Sequence, residues 1–284
     1  MSTNGFTQPP FEDVVPGGSS RRAATAQALE GLLEDYAHLS TSPIPADAAS
    51  VRLHTRIADA MIRTAGVPTQ GKAVVLAGPP GAGKSTVLDT FDLGEFVRVD
   101  PDEIKTRLLD ARRAEFAAIL LEPLPDGRPV RLYELATLVH QESVALSDQI
   151  QQRLLQDRVN VVLEGTLRWA GQPAALAGQL RIADYQDLHI LAVEASCATA
   201  TDQALSRWWT GRATRDGARY TPKTAVTDCY PDPDGYSSCL THAMQMLALP
   251  DVRALDHADL TVHHDGRSPQ WTAGDGVAPT PADL

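Results

Sequence analysis

The sequence has little of several features that mark particular classes of protein. Its 3 cysteines, Cys197, Cys229 and Cys239, have neither the number nor the spacing of a disulfide framework or a zinc site. No apolar run approaches the roughly 20 residues that a membrane helix requires. The first residues, MSTNGFTQPPFEDVV, lack the basic and apolar regions of a signal peptide. We therefore expect free thiols and a cytoplasmic protein that makes no membrane contact.

Positive charge is also in short supply. The chain has 25 Lys and Arg against 36 Asp and Glu, a formal net charge of −11. Because an acidic protein repels the phosphate backbone, nucleic acid is not an expected partner. Hydrophobic residues make up 43% of the 284 residues, which is enough to build a folded core.

Composition divides the chain into four parts. Residues 1–20 are rich in Pro, Gly, Ser and Thr, and we expect a disordered tail. Residues 21–69 contain two stretches of helical periodicity separated by a loop with two prolines, which predicts an N-terminal helical extension. Residues 70–265 should form the main domain, and residues 266–284 a flexible C-terminal tail.

Short apolar runs alternate with longer helical stretches in the main domain. Runs that are apolar throughout are typical of parallel strands covered by helices on both faces. The runs are residues 73–77, 96–99, 159–163, 189–193 and 260–263. The predicted fold is therefore a doubly wound α/β sheet.

The segment VVLAGPPGAGKST is the most specific motif in the chain. Its glycines, lysine and serine have the spacing of a phosphate-binding loop, directly after an apolar strand and before a helical run. In such a loop the backbone N–H groups converge on phosphate oxygens, Lys84 would bridge the β- and γ-phosphates, and Ser85 would ligate Mg²⁺. The expected nucleotide-binding residues are Gly78, Pro79, Pro80, Gly81, Ala82, Gly83, Lys84, Ser85 and Thr86.

Two acids lie where the second predicted strand, in FVRVDPDEIK, turns into a helix. A carboxylate near the γ-phosphate, Asp100 or Asp102, can orient an acceptor hydroxyl and take its proton. Asp100 could instead cap the helix, with Pro101 at the first helical position. The two roles can coexist, and we expect at least one of the acids to be functional.

The third strand, in NVVLEGTLR, is followed by Glu164, Thr166 and Arg168. A carboxylate, a hydroxyl and a guanidinium within five residues can hold a phosphate-bearing acceptor. Glu164 could equally reach Mg²⁺ through water, so its role stays open. We expect Asp148, on the preceding helix, to reach the acceptor site as well.

We expect two further polar residues to have no role in the chemistry. Glu194, at the end of the fourth strand, is predicted to be a solvated strand end. His140 is predicted to be structural, because a lone histidine on an apolar helix is more often structural than functional.

Arginines are concentrated in residues 204–223, ALSRWWTGRATRDGARYTPK, which we call the arginine segment. Arginines on a mobile segment can close over a transferring phosphoryl group and neutralise its charge. Arg207 and Arg219 are the candidates for this role. For Arg212 and Arg215, a basic helix face paired with the acidic surface is an equally good explanation. Trp208 is expected to pack rather than to stack on a ligand.

The ordered set GPPGAGKS, VDPDE, LEGTLR and the arginine segment resembles the zeta toxin family over about residues 70–265. This resemblance implies an α/β fold: a three-layer P-loop kinase with a central, mainly parallel sheet and an arginine-bearing lid. It also implies an enzyme that uses ATP and Mg²⁺ to phosphorylate the 3′-hydroxyl of the amino sugar in UDP-N-acetylglucosamine. An antitoxin protein is the partner that the family implies.

The resemblance also implies roles for individual residues. Lys84 resembles the family's phosphate-loop lysine, Asp102 its catalytic base, and Arg207 and Arg219 its pair of lid arginines. The residues expected on the substrate side are Asp100, Asp102, Asp148, Glu164, Thr166 and Arg168.

Two features depart from the family pattern. The first seventy residues are an addition, and we hypothesise that they cover the active site as a built-in restraint or provide an oligomer contact. Residues 220–238 also differ, which leaves open another hydroxyl acceptor such as an antibiotic, a nucleoside or a dinucleotide. An alternative from another class is a nucleotide-gated interaction module, in which ATP closes the arginine segment without phosphoryl transfer.

Overall fold

A central β-sheet organises the chain in the computed structural model, which describes residues 18–63, 66–274 and 279–284. The described part of the chain contains six strands, in the spatial order β2-β3-β1-β4-β5-β6. The first five are parallel, and the last is antiparallel. The strands are β1 (Lys72–Ala77), β2 (Val97–Val99), β3 (Val161–Glu164), β4 (Asp187–Val193), β5 (His257–His263) and β6 (Gln270–Thr272).

Helices connect the strands and cover the sheet. Within the described residues the α-helices are α1 (Gly18–Asp35), α2 (Ala48–Met61), α3 (Lys84–Leu88), α4 (Pro101–Arg112), α5 (His140–Gln156), α6 (Gln172–Ile182), α7 (Cys197–Gly211), α8 (Lys223–Thr227), α9 (Ser238–Ala248) and α10 (Pro250–Arg253). None of the helices in this described part has the length and apolar character that a membrane span requires.

The two faces of the sheet bury different side chains, because successive residues of a strand point to opposite sides. In β1, Val75 faces the large core that also contains the apolar side chains of α4, α5, α6 and α9. Its neighbours Val74 and Leu76 face a smaller cluster with Leu88 of α3. The arrangement is the predicted three-layer α/β architecture with a mainly parallel sheet.

Parallel strands place all their carboxyl ends at one edge of the sheet, and ligands bind there in folds of this kind. The central strand β1 pairs with β3 on one side, with Val75 opposite Leu163, and with β4 on the other, with Val75 opposite Ile190. The loops after β1, β2 and β3, which carry the predicted site residues, therefore converge.

The N-terminal extension packs into the same core as the sheet. Leu29 and Leu33 of α1 and Ile57 of α2 are buried among the side chains of the main domain. Asp47 is the N-cap of helix α2, and its carboxylate accepts a hydrogen bond of 2.7 Å from the backbone N–H of Ser50.

Both predicted tails need correction where the structure describes them. Residues 1–17 lie outside the described part, but residues 18–20 belong to α1, because this helix is fixed by the apolar side chains that it buries. After residue 266 the chain is not wholly a loose tail. Strand β6 pairs with β5, with Trp271 opposite Leu260, and Trp271 packs against the large core.

Candidate functional site

The phosphate-binding loop has a backbone that requires glycine. Gly78 and Gly81 have φ angles of 138° and 85°, a region that other residues rarely adopt. A Cβ at Gly78 would lie 2.2 Å from the carbonyl oxygen of Val193, and one at Gly81 would lie 2.0 Å from that of Ala200. The loop is therefore wedged against the end of β4 and against α7, and side chains at either position would displace it.

Lys84 begins α3 and folds back over the loop. Its Nζ donates hydrogen bonds of 2.8 Å to the carbonyl oxygen of Gly78 and 2.9 Å to that of Pro79. Burial lowers its pKa, the nearby Arg207 acts in the same direction, and Asp102 opposes both. The ammonium group is thus held at the mouth of the loop, while the hydroxyl-bearing Ser85 beside it is exposed.

Asp100 takes the helix-capping role that the sequence allowed for it. Asp100 is the N-cap of α4, since its Oδ1 accepts a hydrogen bond of 2.8 Å from the backbone N–H of Asp102. Pro101 takes the first helical position, where its missing N–H costs nothing. Capping leaves Asp100 at the carboxyl end of β2, where burial and the neighbouring Asp102 raise its pKa.

Asp102 lies between two cations. Its Oδ1 is 3.0 Å from Nζ of Lys105, and its Oδ2 is 3.3 Å from Nε of Arg219. Burial alone would raise the pKa of Asp102, but Lys105, Arg219 and Arg207 outweigh it and lower the value. The carboxylate is therefore ionised at neutral pH and able to accept a hydrogen bond.

Four of the predicted residues meet at this point. Arg219 contacts Asp102 directly, and Arg207, on α7, is close enough to shift the pKa of both Asp102 and Lys84. Arg207, Arg219, Lys84 and Asp102 therefore lie in one region, next to the phosphate-binding loop.

Arg212 does not belong to this group. Its guanidinium is fully buried and pairs with Asp126 through Nε at 2.7 Å and with Glu134 through Nη1 at 2.5 Å. It therefore fixes the end of α7 to the 122–135 region. Of the two explanations left open for Arg212, burial excludes a solvated basic face, and the pairing with Asp126 and Glu134 leaves the guanidinium no place over a phosphoryl group. Trp208 is also buried, and its indole N–H donates to Glu134 at 2.8 Å, so the expectation of packing is confirmed.

The loop after β3 is tied to the phosphate-binding loop. The backbone N–H of Gly78 donates to the carbonyl oxygen of Thr166 at 3.1 Å. The exposed Arg168 points toward Asp228, with 3.6 Å between Nη1 and Oδ2. Glu164 receives hydrogen bonds of 2.9 and 2.6 Å from Nε and Nη2 of Arg98.

The carboxylates near Lys84 form an environment suited to Mg²⁺. Burial raises the pKa of Glu164, Asp100 and Asp102 raise it further, and Arg98 lowers it, so three acidic side chains lie near one another at this edge of the sheet. Among the described residues no three His, Cys, Asp or Glu side chains are arranged to hold a metal by themselves. Mg²⁺ in nucleotide sites uses one or two protein ligands, with phosphates and water completing the shell, and Ser85 with these acids fits that pattern.

The family model described as "Zeta toxin" matches residues 59–267, well over half of the chain. The chain belongs to the zeta toxin family. This membership places it among P-loop phosphotransferases of the kinase type. A search of curated proteins found no match.

Two solved structures share the zeta toxin fold seen here. One comes from the PezAT chromosomal toxin-antitoxin system of Streptococcus pneumoniae, with 14% identity, a TM-score of 0.57, and coverage of 82% of this chain and 84% of that chain. The other is the AvrRxo1-ORF1:AvrRxo1-ORF2 complex with sulphate ions, with 14% identity, a TM-score of 0.52, and coverage of 92% and 72%. At this identity the likeness concerns the fold.

Asp148 is not joined to the other predicted residues of this zeta toxin family site. It is exposed on α5, and none of the hydrogen bonds or ion pairs of the described residues links it to Lys84, Asp102 or Arg168. His140 is the first residue of the same helix, about 12 Å from Asp148 along its axis. Burial, Lys105 and Arg168 lower the pKa of His140, while Asp102 raises it, so the start of α5 is the end of the helix that approaches Asp102.

Glu194 also differs from its prediction. It is buried rather than solvated, and its carboxylate accepts a hydrogen bond of 2.9 Å from the backbone N–H of Ser237. Burial raises its pKa. The segment before α9 folds across the end of β4 and removes the side chain from water, which a single strand-end acid in the sequence does not reveal.

Sequence reasoning missed two cations of the site. Lys105 follows Asp102 by three residues on a helix, a spacing that places two side chains side by side, so a signal was present. Arg98 pairs with Glu164 across neighbouring strands, and only the β2–β3 register, with Val97 opposite Val161, brings them together.

Proposed function

We propose that this protein is an ATP- and Mg²⁺-dependent kinase that phosphorylates a hydroxyl of a small molecule, with the 3′-hydroxyl of the amino sugar in UDP-N-acetylglucosamine as the preferred acceptor. The observation that carries the proposal is the position of Asp102. Its ionised carboxylate lies 3.3 Å from Arg219 and within electrostatic reach of Lys84 and Arg207, where an acceptor hydroxyl and a γ-phosphate would meet.

The phosphate-binding loop would hold the triphosphate. Its glycines leave backbone N–H groups free to approach phosphate oxygens, and Lys84 would exchange its contacts with Gly78 and Pro79 for the β- and γ-phosphates. Because burial lowers the pKa of this lysine, phosphate binding would also restore its ordinary preference for the charged form.

Asp102 would orient the acceptor. As the acceptor oxygen bonds to the γ-phosphorus and the bond to ADP breaks, the hydroxyl proton would pass to the carboxylate. A pKa held low by Lys105 and Arg219 makes a weak base, and this suits a loose transition state in which the proton moves late.

The arginines would neutralise the charge that spreads over the phosphoryl oxygens. Arg219 already contacts Asp102 at 3.3 Å, so it would stand between the base and the phosphoryl group. Ser85, with Glu164 or Asp100, would hold Mg²⁺, which supplies charge neutralisation on the phosphates.

The acceptor side is lined with groups that suit a diphosphate-linked sugar. Arg168 is exposed on the loop after β3, and Nζ of Lys105 lies 3.0 Å from Asp102. These two cations would bind phosphate oxygens, while Thr166 and Asp100 would offer partners for sugar hydroxyls. Membership of the zeta toxin family favours a UDP-sugar over an antibiotic, a nucleoside or a dinucleotide.

A screen of acceptors tests the proposal. The purified protein would be incubated with labelled ATP, Mg²⁺ and a panel of hydroxyl compounds that includes UDP-N-acetylglucosamine, and product would be counted over many turnovers. Accumulation of phosphorylated UDP-sugar supports the kinase. Phosphorylation of another panel member would overturn the UDP-sugar part, and slow ATP hydrolysis alone would favour a nucleotide-gated interaction module.

We also propose that the protein works in the cytoplasm and is restrained by an antitoxin protein. Support comes from the similar PezAT structure, which belongs to a toxin-antitoxin system. Expression of the chain alone in a bacterial host, with cell growth and the UDP-sugar pool as readouts, tests this. Unimpaired growth with an active enzyme would contradict the need for restraint.

A further inference from the structure

The N-terminal extension contacts the elements that carry both site arginines. Arg22 of α1 donates from Nη1 to the hydroxyl of Ser206 at 2.9 Å and pairs through Nη2 with Asp202 at 3.2 Å. Both partners belong to α7, and Ser206 directly precedes Arg207 in the sequence. The extension is thus hydrogen-bonded to the side chain of the residue that precedes Arg207.

A second contact of α1 lies next to Arg219. Glu30, two turns further along α1, accepts a hydrogen bond of 2.8 Å from the hydroxyl of Tyr220 and one of 3.3 Å from the backbone N–H of Lys223. Tyr220 directly follows Arg219, is buried, and meets the ring of Trp208 edge-on at 4.9 Å between centroids. The carboxylate of Glu30 therefore holds the stretch 220–223, which directly follows Arg219.

Helix α7 links α1 to the phosphate-binding loop itself. A Cβ at Gly81 would strike the carbonyl oxygen of Ala200 at 2.0 Å and approach Cβ of Ala204 at 3.2 Å. Ala204 also lines a small cleft of about 200 Å³ between α7 and α1. One helix thus lies between the extension and the loop, and α1 supports it from outside.

We infer that α1 is a brace that holds the arginine segment in its working position, with Glu30 and Arg22 as positioning residues for Arg219 and Arg207. The inference rests on the proposed kinase function. It differs from the restraint that the sequence suggested, because α1 bonds to the residues next to the two arginines, Ser206 and Tyr220, and these bonds favour the geometry in which Arg219 meets Asp102. The brace acts on the chemical step, so its loss should lower kcat and leave the KM for ATP unchanged.

Point variants test the brace better than truncation, because Leu29 and Leu33 belong to the core and their removal would endanger folding. Tyr220→Phe removes one hydroxyl and keeps the ring. Glu30→Ala removes the acceptor, and Glu30→Gln keeps a carbonyl oxygen that can accept the same bonds. Since Glu30 is half-buried, its loss strands no fully buried charge.

A matched control lies directly after the last residue of α1. Tyr36 donates to Glu122 at 3.1 Å, which is also a tyrosine hydroxyl on a glutamate carboxylate, but it adjoins neither site arginine. Tyr36→Phe therefore makes the same chemical change without touching the brace.

The experiment measures kcat, the KM for ATP and hydrogen exchange over residues 206–223 for each variant. Tyr220→Phe and Glu30→Ala should lower kcat about tenfold, the equivalent of one lost hydrogen bond in the transition state. Both should speed exchange in that stretch, Glu30→Gln should recover most of the loss, and Tyr36→Phe should match the wild type. Wild-type kcat in both brace variants, or a rise in kcat as a restraint would give, overturns the brace.

Failure of the proposed function gives a different pattern. If the wild type phosphorylates none of the acceptors tested, kcat is undefined, and the exchange measurement decides. Faster exchange of residues 206–223 in Tyr220→Phe but not in Tyr36→Phe retains the brace, and equal exchange in both variants and the wild type rejects it.

Discussion

Replacement of Arg212 by methionine should destabilise the protein strongly. The guanidinium is fully buried and pairs with Asp126 and Glu134, whose side chains are 5% and 0% exposed. Methionine fills much of the volume but leaves two buried carboxylates without a cation. Breaking a buried ion pair from one side costs about 3–5 kcal/mol, and at roughly 2–4 °C per kcal/mol for a domain of this size the melting temperature should fall by about 6–20 °C.

The dependence of this loss on pH follows from the same contact. Although burial opposes it, the hydrogen bonds from Arg212 hold the pKa of Asp126 below its ordinary value of 3.8. Because the pKa of Asp126 is lower in the folded protein than in the unfolded chain, the ion pair stabilises the protein at any pH above the unfolded-state pKa. This stabilisation is lost as the pH falls through the folded-state pKa. In Arg212→Met the carboxylate of Asp126 would lose this stabilisation at every pH, so the gap between variant and wild type should narrow as the pH falls below about 4.

Urea denaturation of both proteins at pH 7 and at about pH 3 measures the effect, with Arg212→Lys as the control. Lysine keeps the positive charge but loses the fork that reaches both acids at once, so its loss should be smaller. A difference below about 1 kcal/mol between Arg212→Met and wild type at pH 7 would refute the reasoning, since exposed pairs have that value.

Three other substitutions have defined outcomes. Gly81→Ala should abolish ATP binding, measured by calorimetry, because the φ of 85° at Gly81 and the nearby carbonyl oxygen of Ala200 leave no room for a Cβ. ATP affinity like that of the wild type would contradict the described loop. Lys105→Gln should move the acidic limb of the kcat/KM profile to higher pH, because Lys105 lowers the pKa of Asp102; an unmoved limb would separate that limb from Asp102. Arg168→Ala should raise the KM for the acceptor at least tenfold and leave that for ATP unchanged; the reverse pattern would place Arg168 on the nucleotide side.

The phosphate-binding loop and the parallel strands around it were open to prediction because their signals are local. Glycines, a lysine and a serine at fixed spacing after an apolar strand depend on a few adjacent residues. Asp100 as a cap with Pro101 behind it is equally local. The convergence of Asp102 with Arg219 spans more than a hundred residues, and the family resemblance supplied it where periodicity could not.

The differences arise where burial depends on partners that are distant in the sequence. Arg212 sits in a basic run that looks solvated, yet Asp126 and Glu134 lie more than 75 residues away. Glu194 ends a strand in the ordinary way, and only the later Ser237 buries it. No local pattern encodes either pairing.

The helix before β3 shows the same limit at finer scale. His140 and Asp148 lie on one helix, and the sequence alone does not say which end approaches the phosphate-binding loop. The parallel sheet decides it, because α5 runs back from the carboxyl edge before β3 begins, and this brings its first residue to the site.

The role of Asp102 as the proton acceptor is tested most directly by the chemical step in Asp102→Asn, an isosteric change that removes the charge and the proton acceptor. Rapid-quench measurement of the phosphorylated acceptor, with ATP affinity measured in parallel, separates chemistry from binding. ATP affinity should stay within about twofold of the wild type, and the rate of phosphoryl transfer should fall by about 10²–10⁴, the range for loss of a general base. An undiminished rate in this variant would contradict the role of Asp102.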